Sequence, residues 1–335
     1  MTARVIAGLL LACLLAGAQV HRARYVPGDD EIRAILVHRV EDERQSTGIV
    51  LGIIDASGKR VVSYPDILNG ETIFEIGSLT KVFTALLLSD MVQRGEARLS
   101  DPVTKYVPVK LANSVTLEAL ATHTSGLPRM PSNFTASRYT REMLFAALST
   151  FTPPVDPDWK YSNLGYGLLG QAIAPDYEQS LGAPITGPLK MNSTRVALGP
   201  EDQLRAVRLT TTDFGALASA AGLHSTANDL LKFLSAILGY TKTPLAPAMA
   251  AMLNVRRATS VAGLTNALGW QISMPDGIEI VWKDGETPGY SSFLGYNAKA
   301  GVGVVVLSDS STTRGVSDIG MYTLDSASQL FRRVK

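Results

Sequence analysis

The stretch GSLTKVFTALLLSDMVQ, residues 77–93, decides how the rest of the chain is interpreted. Its apolar residues recur every three or four positions, which predicts a helix with a broad apolar face. Ser78 stands in the first turn and Lys81 follows three residues later, so the hydroxyl and the ammonium share one face of this helix. The N-terminus of a helix also favours negative charge that develops there. Ser78 is therefore a candidate nucleophile, and Lys81 is its candidate partner.

This pair of residues is not sufficient by itself. A serine hydroxyl is a poor nucleophile until an adjacent base removes its proton, and a lysine acts as that base only when burial or neighbouring cations lower its pKa. The Ser-x-x-Lys spacing occurs once in the chain, at Ser78 and Lys81. Ser78 alone is equally well explained as a residue that caps a helix N-terminus.

Tyr161-Ser162-Asn163 is a second candidate segment, because it follows a Pro- and Asp-rich loop and opens an apolar helical run. A tyrosine beside two lysines is held partly as phenolate, and it can accept a serine proton and return it to a leaving group. Taken alone, Tyr161 is also explained as an amphipathic loop residue, with Asn163 as a helix cap.

Lys283-Asp284-Gly285 is the third candidate segment, and it ends the strand predicted over residues 278–283. A lysine at that point can stabilise a tyrosinate or a substrate anion. Gly285 lets a substrate lie against the strand edge. Taken alone, Lys283 is also explained as a solvated strand end.

The surrounding sequence predicts an α/β (α+β) fold with an antiparallel sheet. An amphipathic helix begins after Gly28, and a closing helix is expected over Ser317–Phe331. Short turns separate consecutive predicted strands, and parallel neighbours would need long crossovers. The predicted strands are residues 48–55, 60–64, 268–274, 278–283, 290–296 and 302–307.

Helical pieces joined by Pro- and Gly-rich loops occupy the middle of the chain. We therefore predict an all-helical domain over residues 101–239, inserted into an α/β domain that residues 28–100 and 240–335 form from both chain ends. The N- and C-terminal helices are expected to flank the sheet. The candidate site is expected between the two domains.

Composition excludes several classes of function. The chain has 335 residues, 46% hydrophobic and 18% charged, which is enough for a full core. A net charge of +1 gives no long basic or acidic stripe, so we expect no nucleic-acid partner. Four scattered histidines and a single cysteine, Cys13, argue against a metal centre, and we expect neither a metal nor a cofactor.

The N-terminus has the pattern of a signal peptide. Arg4 supplies a positive charge, residues 5–16 are apolar, and Ala16-Gly17-Ala18 offers small residues for cleavage. The apolar run is shorter than the roughly 20 residues that span a bilayer, so we expect no stable membrane span. We predict that residues 1–18 are removed and that the protein is exported to a bacterial periplasm or secreted. A lipid anchor on Cys13 is the lesser alternative.

Two other patterns are explained without chemistry. Gly165-x-Gly167-x-x-Gly170 matches a dinucleotide-binding fingerprint, but it follows a polar loop where that fingerprint needs a buried strand. We interpret these glycines as a site of close helix packing. His123 and His224 are interpreted as loop or cap residues.

Taken in order, Ser78-x-x-Lys81, Tyr161-x-Asn163 and Lys283-x-Gly285 resemble the serine β-lactamase-like superfamily. The resemblance is to the branch that contains class C β-lactamases, D-alanyl-D-alanine carboxypeptidases and related esterases. The supporting segments span nearly all of the predicted mature chain. They are residues 74–78, 121–128, 161–167 and 287–293.

The resemblance implies an acyl-enzyme mechanism. Ser78 would attack a carbonyl, and the backbone amides of Ser78 and Glu286 would hold the oxyanion. Lys81 and Tyr161 would share the proton transfers, and either of them can be the base. Lys283 would complete the catalytic centre, with Asn163 and Gly285 in supporting or substrate-binding positions.

The implied substrate is a β-lactam or a peptidoglycan peptide that ends in D-alanyl-D-alanine. Two alternatives are a carboxylesterase of the same fold and a cell-wall-binding relative that lacks catalysis.

The sequence departs from the family pattern at two places. Asp284 occupies a position where the resemblance implies a threonine that binds a substrate carboxylate. The carboxylate of Asp284 would repel the carboxylate of a substrate. We expect Asp284 to pair with Lys283 or to face away from the site. Efficient β-lactam hydrolysis is therefore not expected. The family pattern also implies a deletion between Gly187 and Phe214.

Overall fold

The computed structural model describes residues 25–111, 115–135, 139–152, 154, 157–208, 212–310 and 315–330. The predicted signal segment, residues 1–18 with Cys13, lies outside these ranges. Among the helices in these ranges, none combines the length and the apolar character that a bilayer crossing requires.

The described ranges contain ten strands and eleven α-helices. The strands are β1 Ile49–Asp55, β2 Gly58–Tyr64, β3 Ile73–Glu75, β4 His224–Thr226, β5 Arg257–Ala258, β6 Leu264–Asn266, β7 Gln271–Ser273, β8 Ile280–Thr287, β9 Tyr290–Asn297 and β10 Val302–Ser308. The helices are α1 Asp29–Val37, α2 Thr80–Gln93, α3 Leu117–Ala121, α4 Arg141–Ser149, α5 Asn163–Ile173, α6 Tyr177–Leu181, α7 Pro200–Gln203, α8 Ala218–Ala221, α9 Ala227–Ile237, α10 Ala246–Ala251 and α11 Ser317–Leu324.

Eight strands form one antiparallel sheet in the order β2-β1-β10-β9-β8-β7-β6-β5. β1 pairs with β10, and Ile49 lies opposite Ser308, so strands from the two ends of the chain are neighbours in the sheet. β3 and β4 form a separate two-stranded antiparallel sheet. The predicted mixed fold with an antiparallel sheet is confirmed. The division of the chain into two domains stays a prediction.

Side-chain alternation along β1 separates two layers of core. Ile49 and Leu51 pack with Ile32 of α1 and Ile319 of α11 on one face of the sheet. Val50 faces the opposite side, where the core includes residues of α2 and α9. Because successive strand residues point to opposite faces, one apolar strand supplies both layers.

Most of helix α2 lies within this second layer of core. Its residues from Thr80 to Ser89 are all buried, as its largely apolar sequence predicts. A 3₁₀ turn, Gly77–Leu79, precedes it. Ser78 lies in this turn, two residues before the α-helix, so the prediction that it stands in the first turn of the helix was wrong. α2 contacts α5, α8 and α10, and these contacts fix the orientation of its first turn.

Several predicted element boundaries were wrong. β8 runs to Thr287, so Lys283 lies inside the strand and does not end it. The predicted strand over residues 268–274 is reduced to β7, because Gly269 takes a positive φ of 75°. β5 and β6 were not predicted, since two or three residues are too short for a periodic signal.

The C-terminal helix is shorter than predicted. α11 ends at Leu324 because Asp325 takes an extended conformation, and Phe331 lies outside the described residues. His224 was also assigned wrongly, since it is a buried strand residue of β4 and not a loop or cap residue.

The glycine pattern in α5 serves helix packing, as predicted. A Cβ at Gly167 would collide with the side chain of Leu217, and a Cβ at Gly170 would collide with that of Ser219. α5 therefore approaches α8 more closely than any larger residue at these positions would allow.

We expect Gly170→Ala to destabilise the protein by about 1–3 kcal/mol, because Ser219 belongs to a packed layer that has to move. Gly182→Ala is the matched control, since Gly182 has a φ of −57° and a Cβ added there would meet no atom within 4 Å. The control is expected to change stability by less than about 1 kcal/mol. Urea unfolding followed by circular dichroism measures both, and equal midpoints would contradict the packing role.

Candidate active site

Ser78 is positioned by two glycines that allow backbone segments to approach closely. Gly77 has a φ of 51°, and a Cβ there would lie 2.7 Å from the backbone nitrogen of Glu286. A Cβ at Gly285 would collide with the carbonyl oxygen of Ile76 and would lie 2.9 Å from the nitrogen of Ser78. The turn that carries Ser78 thus packs against β8 at Gly77 and Gly285, two positions where only glycine fits.

Lys81 is fully buried, and its ammonium is hydrogen-bonded to three acceptors. Its Nζ donates to Ser78 Oγ at 3.0 Å, to Asn163 Oδ1 at 2.8 Å and to the carbonyl oxygen of Ala220 at 2.7 Å. The three acceptors belong to the turn before α2, to α5 and to α8. A buried cation is tolerated when its donors are satisfied in this way.

Tyr161 completes the contact around the serine. Its hydroxyl donates to Ser78 Oγ at 2.6 Å. The centre of its ring lies 4.8 Å from Lys81 Nζ and 4.9 Å from Lys283 Nζ. Of the four side chains predicted as a catalytic centre, Tyr161 therefore contacts the other three, Ser78, Lys81 and Lys283, although their chemical roles stay predictions.

Electrostatics bring the proton affinities of Lys81 and Tyr161 together. Burial, helped by the charge on Lys283, lowers the pKa of Lys81 to about 8. Burial raises the pKa of Tyr161, but the ammonium groups of Lys283 and Lys81 outweigh burial and lower it to about 8. Both pKa values are thus shifted from their ordinary values toward neutral pH, which suits proton transfer to and from a serine hydroxyl.

Asn163 binds Lys81 and does not cap its helix, so the interpretation of Asn163 as a cap was wrong. The N-cap of α5 is Ser162, whose hydroxyl accepts a hydrogen bond from the backbone N–H of Gly165 at 2.8 Å. Asn163 follows as the first helical residue, and its amide oxygen accepts from Lys81. The amide nitrogen of Asn163 donates to Met130 Sδ at 3.2 Å.

Lys283 is a buried strand residue, with 4% of its surface exposed, and it is not a solvated strand end. Burial lowers its pKa, but the charges of Tyr161 and Asp284 outweigh burial, so the net shift is upward and the ammonium stays charged. Its Nζ lies 3.4 Å from Asp284 Oδ1. Of the two arrangements expected for Asp284, pairing with Lys283 is the one found, and half of the Asp284 side chain remains exposed.

The edge of β8 beside Ser78 is open along its second half. Among the described strands, β7 pairs with β8 only from Ile280 to Trp282, so Lys283 and the residues after it have a partner on the β9 side alone. Ser292 of β9 donates its hydroxyl to the carbonyl of Ile76 at 2.8 Å and holds the Ser78 turn in place. An extended substrate segment can pair with this edge.

His123 is a site residue that the sequence interpretation missed. It is buried with a φ of 63°, and its ring centre lies 4.4 Å from that of Tyr161. Its Nδ1 accepts the backbone N–H of Ser162 at 3.1 Å. Burial and three nearby cations hold its pKa well below the ordinary value, so the ring is neutral. Its place in the segment 121–128, which supports the family resemblance, was the available signal.

Within the described ranges, no group of three or more His, Cys, Asp or Glu residues is arranged to hold a metal ion. The polar groups linked through Ser78, Lys81 and Tyr161 are one hydroxyl, one phenol, one amide and two ammonium groups. This set suits nucleophilic chemistry with proton transfer.

Comparison with known proteins agrees with this geometry. The family model described as Beta-lactamase matches residues 32–326. The chain belongs to the β-lactamase family. It is a serine hydrolase of this family, and the resemblance drawn from its motifs is confirmed.

Relatives within the family include enzymes of two kinds. The D-alanyl-D-alanine-carboxypeptidase/endopeptidase AmpH of Escherichia coli K12 is 30% identical, over 93% of this chain and 95% of that protein. A β-lactamase of the same organism is 34% identical over 50% of this chain and 48% of that protein. The crystal structure of the class C β-lactamase from Rhodobacter sphaeroides has the same fold, with a TM-score of 0.76 at 23% identity, covering 88% of this chain and 98% of that one.

We expect the rate of Ser78 modification by a fluorophosphonate to rise with pH through about 8 and then level, because the base must lose its proton first. Below that pH Lys81 is charged and Tyr161 neutral, and neither accepts a proton. Intact-mass spectrometry at timed intervals measures the rate.

Tyr161→Phe is expected to lower the labelling rate by about 10²–10⁴-fold if the phenol takes part in proton transfer. Tyr240→Phe is the matched control, since Tyr240 is exposed and donates only to the carbonyl of Gly301. A labelling rate independent of pH between about 6 and 10 would contradict the role of Lys81 and Tyr161 in proton transfer.

Proposed function

We propose that Ser78 is the acylated nucleophile of a hydrolase that cleaves amide bonds of the D-alanyl-D-alanine or β-lactam type. The observation that carries this proposal is the contact of one serine oxygen with both a buried lysine and a tyrosine. Ser78 Oγ lies 3.0 Å from Lys81 Nζ and 2.6 Å from Tyr161 OH. Each partner is within reach of the serine proton.

In the proposed reaction Ser78 Oγ forms a bond to the substrate carbonyl carbon while its proton passes to the Lys81–Tyr161 pair. The C–N bond then breaks, and the same proton moves to the leaving nitrogen. Water next attacks the acyl carbon and gives one proton back through the pair, which releases the acid and restores the hydroxyl of Ser78. Lys283, which stays charged, favours the phenolate form of Tyr161 during these transfers.

The developing oxyanion needs two donors close to Ser78, and we propose the backbone amides of Ser78 and Glu286. The close packing at Gly77 and Gly285 supports this assignment, because the nitrogen of Glu286 lies against Gly77 and the nitrogen of Ser78 lies against Gly285. Glu286 lies opposite Ser291, one residue from the Thr287–Tyr290 pair that closes the hairpin. Two fixed backbone donors stabilise a tetrahedral intermediate without reorganisation.

The relatives favour a peptidoglycan peptide as the physiological substrate. The carboxypeptidase/endopeptidase AmpH aligns over nearly the whole of both chains, whereas the Escherichia coli β-lactamase aligns over half of each. We propose export to a bacterial periplasm or secretion, by way of residues 1–18, so that the enzyme meets the cell wall. N-terminal sequencing of the periplasmic protein should begin near Gln19, and recovery of the intact chain only from the cytoplasm would contradict export.

A carboxylesterase is the second candidate, and Asp284 is the observation that favours it. Its half-exposed carboxylate lies on the open part of β8, where a substrate that ends in a carboxylate would be repelled. A neutral ester would not be repelled. Esterase activity and peptidase activity would use the same Ser78.

We expect intact-mass spectrometry to detect one covalent adduct on the protein after treatment with penicillin, and one after treatment with a fluorophosphonate. Ser78→Ala should form neither adduct, because the attacking oxygen is gone. Ser125→Ala is the matched control, since Ser125 is a buried serine whose hydroxyl forms no hydrogen bond with the described residues. This variant should form both adducts, as the wild type does.

The substrates separate the candidates. Release of D-alanine from a peptide that ends in D-alanyl-D-alanine supports the proposed function. Turnover of p-nitrophenyl esters without D-alanine release and without nitrocefin hydrolysis would assign the chain to the esterases. Absence of every adduct on the folded protein would identify a relative without catalysis and would contradict the proposal.

A further inference from the structure

Three consecutive residues of the loop that carries Arg129 form hydrogen bonds with the segment that follows Tyr161. The carbonyl of Pro128 accepts from the Ser162 hydroxyl at 2.7 Å. The carbonyl of Arg129 accepts from the backbone N–H of Asn163 at 2.9 Å. Met130 Sδ accepts from the Asn163 side chain. The backbone of Arg129 is therefore fixed beside the candidate active site, although the arginine side chain is exposed.

The guanidinium of Arg129 is one of three cations around a single phenol ring. Its Cζ lies 5.1 Å from the ring centre of Tyr161, a distance close to the 4.8 Å and 4.9 Å of Lys81 and Lys283. The two lysines are buried, with 0% and 4% of their surface exposed. Arg129 is the member of this group that meets solvent and an arriving ligand.

Charge balance distinguishes Arg129 from the two lysines. Lys283 has the carboxylate of Asp284 at 3.4 Å, and Lys81 is surrounded by its three acceptors. No carboxylate of the described residues forms an ion pair with Arg129. An arginine keeps its charge throughout the working pH range, and its planar fork matches two oxygens of one carboxylate. An exposed positive charge, with which no carboxylate of the described residues pairs, thus lies beside Tyr161.

We propose that Arg129 determines substrate specificity by binding a carboxylate of the substrate. This inference rests on the proposed function, because it concerns the ligand of the same site. The carboxylate of Asp284 balances the charge of Lys283 and makes the β8 edge unfavourable for an anion. The substrate anion therefore binds on the Arg129 side of Tyr161. The substrate class is an acyl compound with a free carboxylate next to the leaving group.

The test compares two thioesters with the same scissile carbonyl. Benzoylglycyl-thioglycolate carries a free carboxylate. The second thioester is the same compound with that carboxylate replaced by a neutral carboxamide. The measured quantity is the ratio of kcat/KM for the acid to kcat/KM for the amide. We expect a ratio well above one for the wild type, a fall of about tenfold in Arg129→Gln, and an intermediate ratio in Arg129→Lys.

Lys160→Gln is the matched control, because Lys160 is an exposed cation next to Tyr161 in sequence and is absent from the cations that contact its ring. It should keep the wild-type ratio. The inference is overturned if the ratio in Arg129→Gln equals that of the wild type. If kcat/KM for both thioesters falls by the same factor, Arg129 only supports Tyr161.

The failure of the proposed function has a different signature. In that case neither thioester is hydrolysed by the wild type and a fluorophosphonate leaves Ser78 unmodified, which overturns both statements together. If Ser78 is modified and both thioesters are hydrolysed with no dependence on Arg129, only the inference about the carboxylate is lost.

Discussion

The structure depends on the burial of one ammonium group, that of Lys81. A charged group inside a protein is strongly unfavourable unless every donor finds an acceptor. Lys81 is 0% exposed, and its three acceptors come from the Ser78 turn, from Asn163 at the start of α5 and from Ala220 of α8. The three segments must converge for each donor of this ammonium group to find its acceptor. The hydrogen bonds that make burial of Lys81 possible therefore also assemble the site.

Local parts of the site could be predicted from the sequence. Lys81 lies in the first turn of α2, as the apolar period predicts. Ser78 lies in the 3₁₀ turn that leads into this helix, and the three-residue spacing still brings the two side chains into contact. The antiparallel order of β8, β9 and β10 followed from their short connections. The family resemblance added Tyr161 and Lys283, whose approach to Ser78 joins residues far apart in the chain.

Parts of the site that depend on tertiary contacts could not be predicted. Nothing in the local pattern shows that Asn163 turns to Lys81 while Ser162 takes the cap, because both residues are good caps. β8 continues past Lys283 because it stays paired with β9 as far as Thr287. His123 and Arg129 lie against Tyr161 through loop contacts that no periodicity encodes.

The most direct test of this account is an NMR titration of the Lys81 side chain in lysine labelled with ¹³C and ¹⁵N. The signal can be assigned by its loss in Lys81→Arg. We expect a pKa of about 8, because burial and Lys283 disfavour the charged form. A pKa at the ordinary value of 10.5 would mean that Lys81 is solvated, and it would contradict the convergence of the three segments.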